Sequence, residues 1–297
     1  MNRSVSGTSL AGTTQLGRHS QLLLGLVPTT IEGSKGLTGA SSGIGRAVAL
    51  SLAKEGSHVI CADLQPEANP RGFDARLETS TTDLILEGGR RSIFVRVDIS
   101  DSKQVENAFS TVIKEFGRLD ILVNCAGYWA PFRQFAEEDD ELWSKMLAVN
   151  SAGTGKMCRL AIRQFLKQGV DPSWGSRGRI VNISSAAGVI AFAGEVAYSI
   201  TKASVNHLTR TAALDHAKDS INVNCVAPGT VATGMARGNF EDEDILALMK
   251  RATPWPRLGN TQDIAAAVLF FCLPSSQWTT GQVLAVDGGM TLGVPAT

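Results

Sequence analysis

From residue 32 onward the chain alternates short apolar runs of strand length with segments of helical period, and this alternation limits the possible folds more than any other feature. Residues 58–63 (HVICAD), 92–97, 120–124, 179–184, 222–226 and 282–286 read as strands, and 45–54, 102–115, 139–165, 195–216 and 262–272 as helices. The strand runs are almost continuously apolar, as strands of a parallel sheet buried on both faces must be. Strand and helix in turn give right-handed crossovers and a doubly wound α/β sheet with helices on both faces. No repeat at a solenoid period and no Pro/Gly-rich linker divides the chain, so residues 32–297 read as a single Rossmann-type domain.

Composition narrows the function. Among 297 residues, Lys+Arg and Asp+Glu both number 28, and the zero formal charge leaves no global field to hold a nucleic acid. Cys61, Cys125, Cys158, Cys225 and Cys272 are scattered and odd in number, which argues against a disulfide framework and for a reducing, cytoplasmic setting. The histidines are scattered too, so no metal site is expected. No apolar run reaches the ~20 residues of a membrane span. Residues 1–31 lack Asp and Glu and are rich in Ser, Thr, Gly and Leu. They read as a disordered tail, with an organellar import leader as the alternative. Residues 169–178 (GVDPSWGSRG) read as an exposed loop.

The segment Gly39-Ala40-Ser41-Ser42-Gly43-Ile44-Gly45 opens a helix. Glycines there allow a tight turn and close approach to a pyrophosphate, and the helix offers free N–H groups and its positive end. Asp63 lies 20 residues beyond Gly43 at the end of the next strand, where a carboxylate would accept from ribose hydroxyls and repel a 2′-phosphate. NAD is therefore expected over NADP. Gly153-Thr154-Gly155-Lys156 is not a phosphate loop, because Asn150 and Met157 stand where Gly and Ser/Thr are needed.

Tyr198 and Lys202 are four apart on one expected helix, so they share a face. An ammonium beside a phenol favours phenolate and suits the pair to acid/base work. Ser185, 13 residues upstream of Tyr198 at a strand end, can hold a carbonyl or alcohol oxygen beside that phenol.

With these residues in place the sequence resembles the short-chain dehydrogenase/reductase family over roughly residues 32–290. The glycine loop, Asn124-Cys125-Ala126-Gly127, Asn150, Ser185, Tyr198, Lys202, Pro228-Gly229, Thr280-Gly281 and Asp287-Gly288-Gly289 carry the match. The resemblance implies a catalytic tetrad of Asn150, Ser185, Tyr198 and Lys202, with Asn150 holding a water in a proton relay to Lys202. It implies that Asp98 and Ile99 contact adenine, that Asn124, Ala126 and Gly127 pass the adenosine side, and that Pro228, Gly229, Val231 and Thr233 hold the carboxamide and phosphates. It also implies a homo-oligomer, tetramer or dimer, built on the long helices.

One element fits poorly. The first strand should precede Thr38, yet the chain offers Ile31-Glu32-Gly33-Ser34-Lys35-Gly36-Leu37, where glycine weakens strand order. A poor but adequate strand, a corrupted stretch of sequence and impaired cofactor binding are the three readings. The loop is expected to form, because later elements define its surroundings.

Trp129, Phe132, Phe192, Met235, Phe240 and Trp255 fall near loops that should face the crevice and suggest a hydrophobic secondary alcohol or ketone. Core or subunit packing explains them equally well. Glu241, Asp242, Glu243 and Asp244 read as a solvated helix start. The leading expectation is an NAD(H)-dependent oxidoreductase carrying out alcohol oxidation or ketone reduction. A 3-oxoacyl-carrier-protein-type reductase and a non-catalytic NAD-binding sensor or scaffold are the alternatives.

Overall fold

The computed structural model describes residues 33–293, so the expected tail over 1–31 lies outside the described residues. Seven strands form one parallel sheet: β1 (Ser34–Thr38), β2 (His58–Asp63), β3 (Ser92–Arg96), β4 (Ile121–Asn124), β5 (Gly178–Ile183), β6 (Ile221–Pro228) and β7 (Val283–Val286). Their order across the sheet is β3-β2-β1-β4-β5-β6-β7. The chain therefore leaves β1 in one direction for β2 and β3 and returns beside β1 as β4. A ligand crevice forms where the strand order reverses in this way, beyond the carboxyl ends of the strands.

Helices α1 (Gly43–Lys54), α2 (Thr81–Glu87) and α9 (Thr261–Cys272) and helices α3 (Ser102–Phe116), α5 (Thr154–Phe165) and α6 (Val196–His216) connect the strands. Two apolar cores result. One gathers Val48, Leu52 and Ile264 with Leu37 and Val181, and the other gathers Val105, Ala161 and Phe165 with Ile180 and Val223. Local signals set the helix ends. Asp101 caps α3 through the N–H groups of Lys103 and Gln104, and Gly117 at φ 74° ends it. Asn260 and Asp263 cap α9 reciprocally.

The expected helix over 139–165 is three pieces: α4 (Asp140–Met146), a wide π-helical stretch Leu147–Gly153 that carries Asn150, and α5. Such bulges mark places where a side chain is re-aimed. The rejected phosphate-loop segment sits at this junction, where Gly153 packs on Ile99 and Lys156 donates to the Ser100 carbonyl.

The doubtful first strand is formed, buried along its whole length and paired on both sides. Its polar residues are accommodated at its start. The Ser34 N–H donates to Asp120 Oδ2 at 2.7 Å, and Lys35 lies 3.9 Å from the same oxygen and 3.9 Å from the Trp174 ring centre. Trp174, from the stretch expected as an exposed loop, is only 7% exposed, which corrects that expectation for the loop's centre. Arg179 on β5 secures it, donating to the Trp174 carbonyl at 3.2 Å and to Ser276 Oγ at 3.0 Å.

Candidate active site

A cleft of about 1180 Å³ opens over the carboxyl ends of the central strands. At one end lies the glycine loop. Thr38 at the end of β1 accepts the N–H groups of Cys125 (3.1 Å) and Ala126 (3.2 Å), which ties the two sides of the crevice together. Gly39 has φ +67°, and a Cβ there would meet Ala126 N at 2.7 Å. A Cβ on Gly45 would fall 1.9 Å from the Gly39 carbonyl oxygen. These contacts make a backbone cradle that side chains would fill, as a dinucleotide pyrophosphate requires.

Asp63 closes this end. Its Oδ2 accepts the Ser41 N–H at 2.9 Å and its Oδ1 the Leu64 N–H at 2.8 Å. Each carboxylate oxygen keeps a lone pair for a further donor, such as a ribose hydroxyl. Val97, Asp98 and Ile99 line the cleft beside it. Asp98 Oδ1 also takes the Ser100 N–H and hydroxyl, so it shapes its own turn as well.

Nothing in the sequence singles out the stretch between β2 and α2, because its Pro, Gly, Asn and charged residues read as plain loop. It is laced to the glycine loop. Ser41 Oγ donates to the Gln65 carbonyl (2.6 Å), the Asn69 N–H donates to Ser42 Oγ (2.6 Å), and the Gly43 N–H donates to Asp74 Oδ2 (3.0 Å). The fully buried Arg46 holds its far end by donating to the carbonyls of Arg76 and Thr79. The same stretch reaches the wall of the cleft, where Arg71 meets Glu241 at 2.6 Å and Phe73 packs on Phe240, ring centres 5.5 Å apart.

At the other end Ser185, Tyr198 and Lys202 line the cleft together. Ser185 follows β5, and its Oγ accepts the Ala187 N–H at 3.1 Å. Tyr198 and Lys202 share a face of α6, with Lys202 Nζ 5.6 Å from the Tyr198 ring centre. That Nζ donates to the Ile183 carbonyl at 3.1 Å. Burial pushes the Tyr198 phenol up from its ordinary value, the Glu195 carboxylate adds to this, and the Ser185 hydroxyl opposes it. Burial likewise pushes the Lys202 amine down. Burial, Glu195 and Ser185 are thus what chiefly act on Tyr198, and Lys202, 5.6 Å from the ring centre, is not among the main causes. Tyr198 is half-buried and meets the cleft, so water that reaches it there weakens that upward push.

Two expected site residues stand back from the cleft. Asn150, 1% exposed, uses its side chain as a clamp. It accepts the Tyr128 N–H (2.7 Å) and donates to the Tyr128 carbonyl (2.8 Å) and Thr201 Oγ1 (3.1 Å). A Cβ on Gly127 would lie 3.5 Å from Asn150 Oδ1 and 3.4 Å from Lys202 Nζ, so both reach the same glycine. Asn124 is buried in the sheet and donates to Asn182 Oδ1 at 2.9 Å. The remaining expected cofactor residues line the cleft: Gly39, Ser41, Ser42, Gly43, Ile44, Gly45, Ala126, Gly127, Pro228, Gly229, Val231 and Thr233.

Of the six large side chains expected at the substrate end, Trp129, Phe132, Phe192 and Met235 line the cleft. Phe240 turns to Phe73, and Trp255 is exposed beside Gly288. After the short α7 (Arg237–Glu241), helix α8 (Glu243–Ala252) contributes Ile245, Leu248 and Met249 to the apolar wall. Its first-turn acids are exposed, and Asp242 caps it through the Ile245 N–H at 3.0 Å. Among the described residues no His/Cys/Asp/Glu group could hold a metal ion, and no helix is long and apolar enough to cross a membrane.

Comparison with known proteins follows the same outline. The family model described as enoyl-(acyl carrier protein) reductase matches residues 39–291. The chain is 35% identical over 259 residues to an uncharacterized oxidoreductase of Thermotoga maritima, covering 86% of this chain and 96% of that one. It is 33% identical over 255 residues to the cis-4-hydroxycyclohexanecarboxylate dehydrogenase of Sinomonas cyclohexanicum, covering 86% and 95% of the two chains. The solved structure of a Beutenbergia cavernae protein with bound NADP superposes with a TM-score of 0.79 at 29% identity, over 90% of this chain and 100% of that one.

Proposed function

The chain belongs to the short-chain dehydrogenase/reductase family, and on that premise we propose that it is an NAD(H)-dependent oxidoreductase interconverting a hydrophobic secondary alcohol and its ketone. The observation that carries this reading is the meeting of Ser185, Tyr198 and Lys202 in the cleft that the glycine loop enters.

The bound nicotinamide would supply or take up the hydride. In reduction the protonated phenol of Tyr198 donates to the ketone oxygen as that oxygen gains charge, and the upward push on its pKa keeps the phenol protonated for this step. Ser185 Oγ orients the same oxygen and can donate a hydrogen bond to it. Lys202, held by the Ile183 carbonyl, would bind the ribose of the nicotinamide. Asn150 positions the backbone at Tyr128 against α6, and through Gly127 it bounds the space beside Lys202. Gly39 and Gly45 would leave room for the pyrophosphate and Asp63 would accept from the adenosine ribose, where its charge would favour NAD over NADP. Of the residues lining the cleft, Asp98, Ile99, Ala126 and Gly127 would hold the adenine side, and Pro228, Gly229, Val231 and Thr233 the carboxamide and phosphates. Trp129, Phe132, Phe192 and Met235 supply the apolar wall that suits a cyclic or aromatic carbinol.

The family description names a carrier-protein reductase, but the Asp63 carboxylate disfavours the NADPH expected of a carrier-linked reductase. The formed first strand removes the motive for a non-catalytic sensor. Free cysteines suit a reducing compartment such as the cytoplasm, and a homo-oligomer completes the reading.

The test is a panel of ketones with NADH or NADPH and of secondary alcohols with NAD or NADP, followed by nicotinamide absorbance. Turnover of cyclic or aromatic carbinols with NAD is expected. Folded protein that neither binds NAD saturably nor turns over any member of the panel ends the reading.

A further inference from the structure

One carboxylate in the cleft acts on the proton transfer above only through its charge, which adds to the upward push on Tyr198. Glu195 stands immediately before α6, three residues ahead of Tyr198, and is 9% exposed. A residue in this position ordinarily caps the helix by accepting a first-turn N–H. Glu195 does not, since its side chain makes no bond to the helix end. Glu138 takes that part from the segment before α4, accepting the Ala197 N–H at 3.1 and 3.3 Å. The Glu195 carboxylate is turned to the cleft wall, where its Oε2 accepts the Trp129 indole N–H at 3.1 Å.

A buried carboxylate accepts several hydrogen bonds when its surroundings offer them, and one indole N–H is a thin supply. Trp129, Phe132, Phe192 and Met235 on the cleft wall are apolar but for that indole N–H, while Ser185 and Tyr198 present their hydroxyls to the same cleft. The other cation at this end of the cleft, Lys145, is exposed and lies over the Tyr128 ring at 4.1 Å. The Glu195 carboxylate thus takes one hydrogen bond from the described residues, and its place in the cleft wall leaves it open to a donor that a ligand brings.

We propose that Glu195 determines specificity by hydrogen-bonding a second hydroxyl of the substrate, so that the preferred substrates are dihydric carbinols or hydroxyketones on an apolar frame. This rests on the oxidoreductase reading above and names the substrate class of the same site. The choice of a hydroxyl follows from hydrogen-bond chemistry. Burial pushes Glu195 up to about 7, against the opposing pull of Trp129, so both its forms are present near neutral pH. A hydroxyl donates to the carboxylate and accepts from the carboxylic acid. An ammonium has no acceptor for the O–H of the acid, a bare ketone has no donor for the carboxylate, and a substrate carboxylate would be repelled by the ionised form. A substrate without the group would leave the buried carboxylate short of a partner, which is how a polar pocket rejects an apolar analogue.

The test compares matched pairs, cyclohexanol against each cyclohexanediol and cyclohexanone against the hydroxycyclohexanones, in the full chain with NAD(H). In the unsubstituted protein the best dihydric member is expected to exceed its monohydric partner in kcat/KM by about tenfold or more. Glu195→Leu is expected to bring that ratio to one or below, while Glu195→Gln keeps a preference, because an amide both donates and accepts. NAD affinity, read by fluorescence titration, reports that the variants are folded. The preference of the unsubstituted protein needs no variant and stands as a test by itself. Equal turnover of every pair, or a preference that survives Glu195→Leu, overturns this assignment and leaves the oxidoreductase reading in place. Turnover of neither member of any pair overturns this assignment, and overturns the oxidoreductase reading with it only where NAD binding and the wider panel of ketones and alcohols fail too.

Discussion

The Nζ of Lys35 lies 3.9 Å from the centre of the Trp174 ring, in the strand on which the crevice turns. Lys35 has no exposed surface, and Asp120 and Arg118 bound the same polar knot, with Arg118 Nε 2.6 Å from Asp120 Oδ1. The polar start of β1 is thereby placed at the end of the sheet away from the cleft, and the glycine loop emerges from its apolar end, Leu37 and Thr38.

This burial has a pH signature. Desolvation pushes Lys35 down to about 7, although Asp120 pulls it upward. An unfolded lysine titrates near ~10.4. Between those values the unfolded chain holds the extra proton, so stability rises with pH across the window, by up to ~1.4 kcal/mol per pH unit. Below the folded value both states are protonated and the slope vanishes. Urea unfolding of the unsubstituted protein and of Lys35→Met at pH 7 and pH 9 checks this. The unsubstituted protein is expected to gain on the variant at the higher pH, and a constant difference would contradict it.

The case of β1 shows which parts of the fold are legible in a sequence. Six strands stand within a few residues of their expected bounds, because each carries its own short apolar run, even the partly exposed edge strand β7. β1 does not, since the partners of Ser34 and Lys35 come from Asp120 and Trp174, far along the chain. The same distance explains why residues 169–178 read as exposed although Trp174 and Ser176 are buried. At the site, Ser185, Tyr198, Lys202 and the glycine loop were legible because their spacing is itself the signal. Asn124 and Asn150 had the right spacing, but their side chains serve Asn182 and Tyr128. The bonds from Asn69 and Asp74 to the loop left no trace, since polar loop residues look alike until their partners are known. Glu195 had one clue, its place a single turn before Tyr198.

Tyr198→Phe removes the phenol hydroxyl and keeps the ring that packs with Ala130, Leu142 and Met146. Turnover is expected to fall by at least ~10²-fold, the lower range for loss of a general acid/base, while NAD binding persists. Steady-state rates beside a fluorescence titration with NAD separate the two. Near-normal turnover would remove Tyr198 from the chemistry.

Asp63→Ala should act on the cofactor rather than on the substrate. It removes the charge that would repel a 2′-phosphate and also the acceptor for the Ser41 N–H. The NAD-to-NADP ratio of kcat/KM is expected to fall by about tenfold or more, the weight of a hydrogen bond to a charged group. Affinity for NAD itself should weaken as the loop loosens. An unchanged ratio would assign cofactor choice elsewhere.

Asp74 offers a test of how the β2–α2 stretch supports the glycine loop. Ser42 makes no side-chain bond to the start of α1, and Asp74 supplies one from outside the helix by accepting the Gly43 N–H at 3.0 Å. Its charge also faces the positive end of that helix. Asp74→Ala leaves this N–H without its acceptor and is expected to cost about 0.5–2 kcal/mol, as loss of a helix cap does, or a fall of a few degrees in Tm. Asp74→Asn keeps an acceptor oxygen and should recover much of the loss. Thermal unfolding of the three proteins side by side checks the order. Equal melting of all three would mean that the β2–α2 stretch lies on the loop without holding it.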